Sequence, residues 1–221
     1  MDTSIIDYRD VQGLVRFGHA HLPEACFLLL RVENAAAART WLAALPLTTA
    51  ERLAERPQTA LQVAFTCTGL RALGVPAEII QGFAPEFVTG MAGEESRSRR
   101  LGDVGVNAPA QWQWGCPGQV PHVLLMLYAQ KGRLHAWQTT VSETLPGSGL
   151  LLLRCLDTAA LDGDEPFGFK DGISEPQIDW DLERSAGSSD QLAYSNLVAV
   201  GEFLLGYPNE YGRYTDRPLV D

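Results

Sequence analysis

Four short apolar runs decide what this chain can fold into: CFLLLRV (26–32), ALQVAF (60–65), VLLMLYA (123–129) and LLLLRCLD (150–157). Each has the length of a buried strand, and each is bounded by residues that favour turns or helix starts. Between the first two lies NAAAARTWLAAL, in which Ala38, Trp41, Leu42 and Leu45 share one helical face behind Asn34, a capping residue. Between the last two, RLHAWQTTVSETL places Leu134, Trp137, Val141 and Leu145 on one stripe. After the second run Thr68 opens a short helix that Gly74 and Pro76 close. The pairs of runs are separated by residues 75–121: two helix-like pieces (AEIIQGF, PEFVTGM), the charged EESRSRR, and a loop too rich in Gly and Pro for regular structure. The order β-α-β, insertion, β-α-β predicts a ferredoxin-like α+β fold: a four-stranded antiparallel sheet with both helices on one face. Its other face is left needing cover.

Composition narrows the function. At 221 residues, 46% hydrophobic and 20% charged, the chain has the makeup of a globular protein with a real core. A net charge of −10 and a pI near 4.8 repel phosphate backbones and anionic lipid, which argues against a nucleic-acid partner. No apolar run approaches the ~20 residues of a membrane span, and MDTSIIDYRD lacks the cationic start of a secretory signal. Cys26, Cys67, Cys116 and Cys155 form no CxxC pair, so they are expected as buried free thiols in a reducing cytoplasm. Residues 1–160 are expected as the ferredoxin-like domain and 161–221 as a loop-rich continuation leading to a further, missing domain. In that continuation VAVGEFLLGY (198–207) is the one strand-like piece, and RSAGSSD (184–190) reads as a flexible linker.

Within the continuation, EPFGFKDGISEP (165–176) holds Gly168, Asp171 and Gly172 between Pro166 and Pro176. Proline removes a ladder donor and glycine carries an entropy penalty, so neither a helix nor a central strand runs through it. Standing alone, Gly-x-x-Asp-Gly describes an ordinary Asp-Gly turn. Its setting is less ordinary: Phe167, Phe169 and Ile173 flank the acid, and apolar neighbours raise a carboxyl pKa toward useful acid–base work.

Together with this loop, DVQGLV (10–15), GHAHLP (18–23), LGDVGVNAP with WQWG (101–115), HVLLMLYA (122–129) and GEFLLGYPNEYG (201–212) resemble, in order, the blocks of the dye-decolorizing (DyP-type) haem peroxidases. The resemblance spans nearly the whole chain; Glu175 departs from it, since the family more often carries glutamine there. It implies two ferredoxin-like domains enclosing haem b, with Gly168, Phe169, Asp171, Gly172, Ile173 and Ser174 against the cofactor. Asp171 is implied as the distal proton shuttle: it takes a proton from hydrogen peroxide and returns it to the leaving oxygen, while dyes, phenols or other small-molecule donors supply electrons. Because a carboxylate starts near pKa ~3.9, such a shuttle is expected to work best in acid. Trp180, Tyr194, Tyr207, Tyr211 and Tyr214 stand close in sequence and are candidates for electron relay or for packing.

The same resemblance exposes a gap. The family's axial histidine precedes an arginine in a later segment, and His19, His21, His122 and His135 do not match that pattern, so no metal ligand is expected within this chain. His19 and His21 are spaced to share a strand face. Three readings stay open: one half of a DyP-type peroxidase, inactive without the other half and able to form a homo-oligomer; a non-catalytic haem-binding or interaction module; or a haem protein of the chlorite-dismutase or iron-releasing type.

Overall fold

The runs of Leu, Val and Phe become strands because extended backbone lets every second side chain enter a core while neighbouring strands satisfy the peptide groups. In the computed structural model the described residues are 6–159, 164–165, 167–170, 172, 175–183 and 196–219. By their internal contacts they fall into two compact units: Met1–Gly18, Thr49–Glu51 and Ala159–Arg217 in one, His19–Thr48, Arg52–Thr158 and Pro218–Asp221 in the other.

The second unit contains the sheet. Strands β1 (Glu24–Val32), β2 (Thr59–Phe65), β3 (Val123–Ala129) and β4 (Leu150–Asp157) lie in the order β2-β3-β1-β4, all pairs antiparallel. Helices α2 (Ala35–Ala43) and α7 (Leu134–Ser142) complete the expected β-α-β, β-α-β order. Cys26, Leu28, Leu30, Leu61, Val63, Val123, Leu125 and Leu127 form the core on one sheet face, and Trp41, Leu42, Leu134, Trp137 and Val141 of the two helices pack onto it. This is the α+β arrangement that the sequence predicts.

Both helix starts have a specific cause. Asn34 accepts a hydrogen bond from the Ala37 N–H at 3.1 Å, as a cap should. At the start of α7 the cap comes from another strand: Glu24 accepts from Gly132 N–H at 2.8 Å and Leu134 N–H at 3.3 Å, placing its negative charge on the positive end of the helix. Between β2 and β3 run four short helices, α3 (Cys67–Ala72), α4 (Ala77–Ile80), α5 (Pro85–Thr89) and α6 (Glu95–Leu101), then two 3₁₀ turns at Gly105–Asn107 and Pro109–Gln111.

Three local expectations change. Thr66, not Thr68, caps α3: its hydroxyl accepts from Gly69 N–H at 3.0 Å and donates to Pro121 O at 2.7 Å, an anchor only the fold can supply. His19 and His21 precede β1, and His19 has a left-handed backbone (φ 56°), so the two do not share a strand face. Lastly, VAVGEFLLGY is not a strand through its length. Only β6 (Leu197–Val198) pairs, in parallel with β5 (Gln177–Ile178), and a 3₁₀ turn follows at Val200–Glu202. A Cβ on Gly201 would lie 2.2 Å from Pro208 O, so the chain folds back on itself there.

The other unit has few buried apolar side chains, among the described residues Ile6, Ala50 and Val200. Its order comes instead from polar and cation–aromatic contacts beside α1 (Gly13–Phe17). The Arg16 guanidinium lies 3.8 Å from the Tyr8 ring centroid and 5.6 Å from that of Trp180, and it donates to Ala50 O at 2.7 Å. Tyr8 and Trp180 lie 5.8 Å apart between ring centroids. The linker expected at 184–190 lies outside the described residues.

Candidate functional site

The loop that carries the Gly-x-x-Asp-Gly motif begins as a miniature hairpin. Asp164 and Lys170 form an isolated antiparallel bridge, Glu165 N–H donates to Phe169 O at 2.7 Å, and Gly168 N–H donates to Glu165 O at 2.9 Å. Lys170 Nζ also reaches Asp164 Oδ1 at 2.7 Å, closing the hairpin with an ion pair. Gly168 (φ 81°) and Gly172 (φ 74°) take the left-handed conformation that an L side chain strains to adopt, which is why glycine serves at both positions.

At this tip Phe167 is 88% and Phe169 69% exposed, an unusual state for two phenylalanines only two positions apart. A Cβ added to Gly168 would meet nothing within 4 Å, so the backbone between the rings is open as well. Of the site residues expected from the sequence, Gly168 and Phe169 lie on this exposed turn, and Gly172 is exposed beyond its closing bridge. Asp171, Ile173 and Ser174 lie outside the described residues. Sequence reading missed the Asp164–Lys170 closure; the opposite charges six positions apart were its only available signal.

The two open rings and the bare glycine backbone between them leave an apolar surface uncovered. Three of the histidines are engaged within the fold, and His135 is exposed on α7. His21 Nε2 is 3.1 Å from Pro57 O, His122 Nδ1 accepts from Val32 N–H at 3.0 Å, and His19 is buried with Nε2 against Gln62 Nε2 at 3.2 Å. Burial holds both His19 and His122 below the ordinary imidazole pKa, with a further small push from His21 and Arg31 respectively. Among the described residues no three His, Cys, Asp or Glu side chains group so as to hold a metal ion.

The cysteines are free thiols, Cys26, Cys67 and Cys116 buried and Cys155 half-buried. Burial pushes the Cys26 thiol up to about 12, which keeps it protonated and unreactive. Among the described residues no helix is long and apolar enough to cross a membrane.

No protein-family model matches the chain. It is 30% identical over 223 residues to Peroxidase 2 of Mycetinis scorodonius, covering 96% of this chain and 40% of that protein. It is 31% identical over 212 residues to a dye-decolorizing peroxidase of Mycena epipterygia, covering 91% and 37%. Among solved structures, a dye-decolorizing peroxidase in complex with 2,6-dimethoxyphenol superposes with a TM-score of 0.69 at 25% identity, over 95% of this chain and 47% of that one. A decolorizing peroxidase from Auricularia auricula-judae shares the fold with a TM-score of 0.70. The chain thus spans about two fifths of the length of these curated relatives and somewhat under half that of the structural neighbours.

Proposed function

We propose, for a chain whose sequence and fold match one part of a dye-decolorizing peroxidase, that it forms the peroxide-facing portion of such an enzyme and completes its haem site only with further polypeptide. The observation that carries this reading is the exposed turn: the motif that resembles the family's distal loop presents two uncovered phenylalanines and a bare glycine backbone. A haem face would cover them, and Phe169, Gly168 and Gly172 would line it together with Ile173 and Ser174. Haem b, ligated from outside these 221 residues, would supply the redox chemistry. This chain's part is proton handling: the Asp171 carboxylate accepts a proton from one peroxide oxygen and donates it to the other, which leaves as water. The electrons come from a small-molecule donor such as a dye or phenol. The four free thiols support placing the protein in a reducing compartment, the cytoplasm.

Residues 161–221 are on this reading the distal loop and the start of a connection to a second domain. Adding haemin to the 221-residue chain is expected to leave the visible spectrum without a histidine-ligated Soret band. A polypeptide supplying the remaining part of the architecture should restore both the band and peroxide turnover. In that completed protein Asp171→Asn should retain haem but slow the peroxide step, and an unchanged rate would refute the shuttle. A ligated band and turnover from the chain alone would overturn the proposal that it needs a second part.

A further inference from the structure

We infer that the segment His19–Leu22 is a strap which neutral His19 pins and acid releases. This concerns the sheet unit alone and is independent of the peroxidase reading. His19 is 2% exposed, its ring 5.2 Å from that of Tyr128 on β3 and 6.3 Å from that of His21 on its own segment. From β2, Gln62 is fully buried, and its side-chain Nε2 lies 2.9 Å from Thr48 O and 3.2 Å from His19 Nε2. A carbonyl oxygen only accepts, so the group facing Thr48 O must be the Gln62 amide nitrogen. Its second hydrogen then points at His19 Nε2, which must accept and so be unprotonated. The imidazole proton is left on Nδ1, a buried atom with no hydrogen-bond partner among the described residues.

This donor network has one consistent protonation state. Adding a proton to Nε2 sets two donors against each other, Gln62 N–H and imidazolium N–H, in a space where Nδ1–H already lacks an acceptor. Among the described residues the titratable groups facing the ring are Tyr128 from β3 and His21; Gln62 from β2 carries no charge, and none of the three offers a compensating anion. The backbone adds to the imbalance, because His19 holds φ 56° and would relax on leaving. The sign follows from linkage. Neutral His19 contributes fully above the unfolded-state value near pH ~6.5, and that contribution is lost as pH falls below it toward the lowered folded value. At acid pH the ring is expelled into water, and Leu22, whose N–H donates to His19 O at 2.8 Å, loses its turn.

The test is amide exchange on the 221-residue chain, expressed as protection factors between about pH 8 and about pH 4.5. Leu22 is expected to lose at least about tenfold protection below about pH 6, while Leu28 and Leu125 in the sheet keep theirs. His19→Asn, which tolerates a left-handed backbone, should flatten the profile, and His21→Gln should leave it unchanged. Protection of Leu22 that holds throughout the range in the native chain overturns the inference, as does the same acid loss in His19→Asn. Should that variant not fold, the His19 ring resonances decide: titration together with Leu22 exposure supports the strap, and a ring that stays neutral down to global unfolding sinks it.

Discussion

The two compact units differ in how much apolar surface they bury. In the sheet unit Leu28, Leu30, Leu125 and Leu127 are fully buried under two amphipathic helices. The loop unit buries little and leaves Phe167, Phe169, Phe203, Leu205 and Tyr211 exposed, relying on Arg16, Tyr8 and Trp180 and on short hydrogen-bonded turns for order. Hydrophobic burial and dispersion supply most of a domain's stability, so the sheet unit should be the cooperative block and the loop unit the part that opens first. The region with the firmer fold carries the generic framework; the region with the weaker fold carries the candidate chemistry.

The largest expected effect breaks that comparison from the stable side. Leu125→Ala removes a fully buried side chain at the centre of β3 and should lower the unfolding free energy by about 2–5 kcal/mol, read by urea denaturation of the sheet's circular dichroism. Next comes Gly201→Ala, whose Cβ would strike the Pro208 and Tyr207 carbonyls. It should cost about 1–3 kcal/mol of local stability, measured by exchange of the 200–212 amides with the sheet amides unmoved. Gly168→Ala has open space and only backbone strain, so it should cost about 1–2 kcal/mol in the hairpin. Replacing Arg16 with Met removes the guanidinium from the Tyr8 ring and should loosen the loop unit by about 1 kcal/mol, seen as quicker proteolysis there. The smallest effect belongs to Lys170→Met: the ion pair with Asp164 is exposed, and its loss should shift stability by no more than about 0.5 kcal/mol. A loop unit that resisted proteolysis as well as the sheet would dissolve the contrast altogether.

Most of the sheet unit was legible in the sequence because its determinants are local. Apolar runs of strand length and stripes at helical spacing survive without knowledge of the partners they meet, and β3 and β4 have the bounds their sequences suggest. What escaped depends on distant residues. Thr66 rather than Thr68 starts α3 because Pro121 anchors its hydroxyl, and Glu24 caps a helix 110 positions away. The apolar look of residues 198–207 suggested a strand, but the close approach of Pro208 to Gly201 folds the chain before a ladder can extend. For the site, the motif glycines announced a turn, while the hairpin closure by Asp164 and Lys170 and the exposure of both phenylalanines appear only in three dimensions.

One irregularity in β4 bears on how the fold tolerates changes of length. Leu29 of β1 pairs with Arg154 and Leu30 with Leu152, so Leu153 is a residue more than the ladder requires. Deleting Leu153 would join two stretches already in step, with Leu152 still opposite Leu30 and Arg154 still opposite Leu29. Removing Cys155 instead would take out the residue that pairs with Leu28 and packs against the core, and would bring Arg154 opposite Leu28. The strand therefore carries one expendable position, and a single-residue deletion scan along residues 150–157 should find its most tolerated gap there.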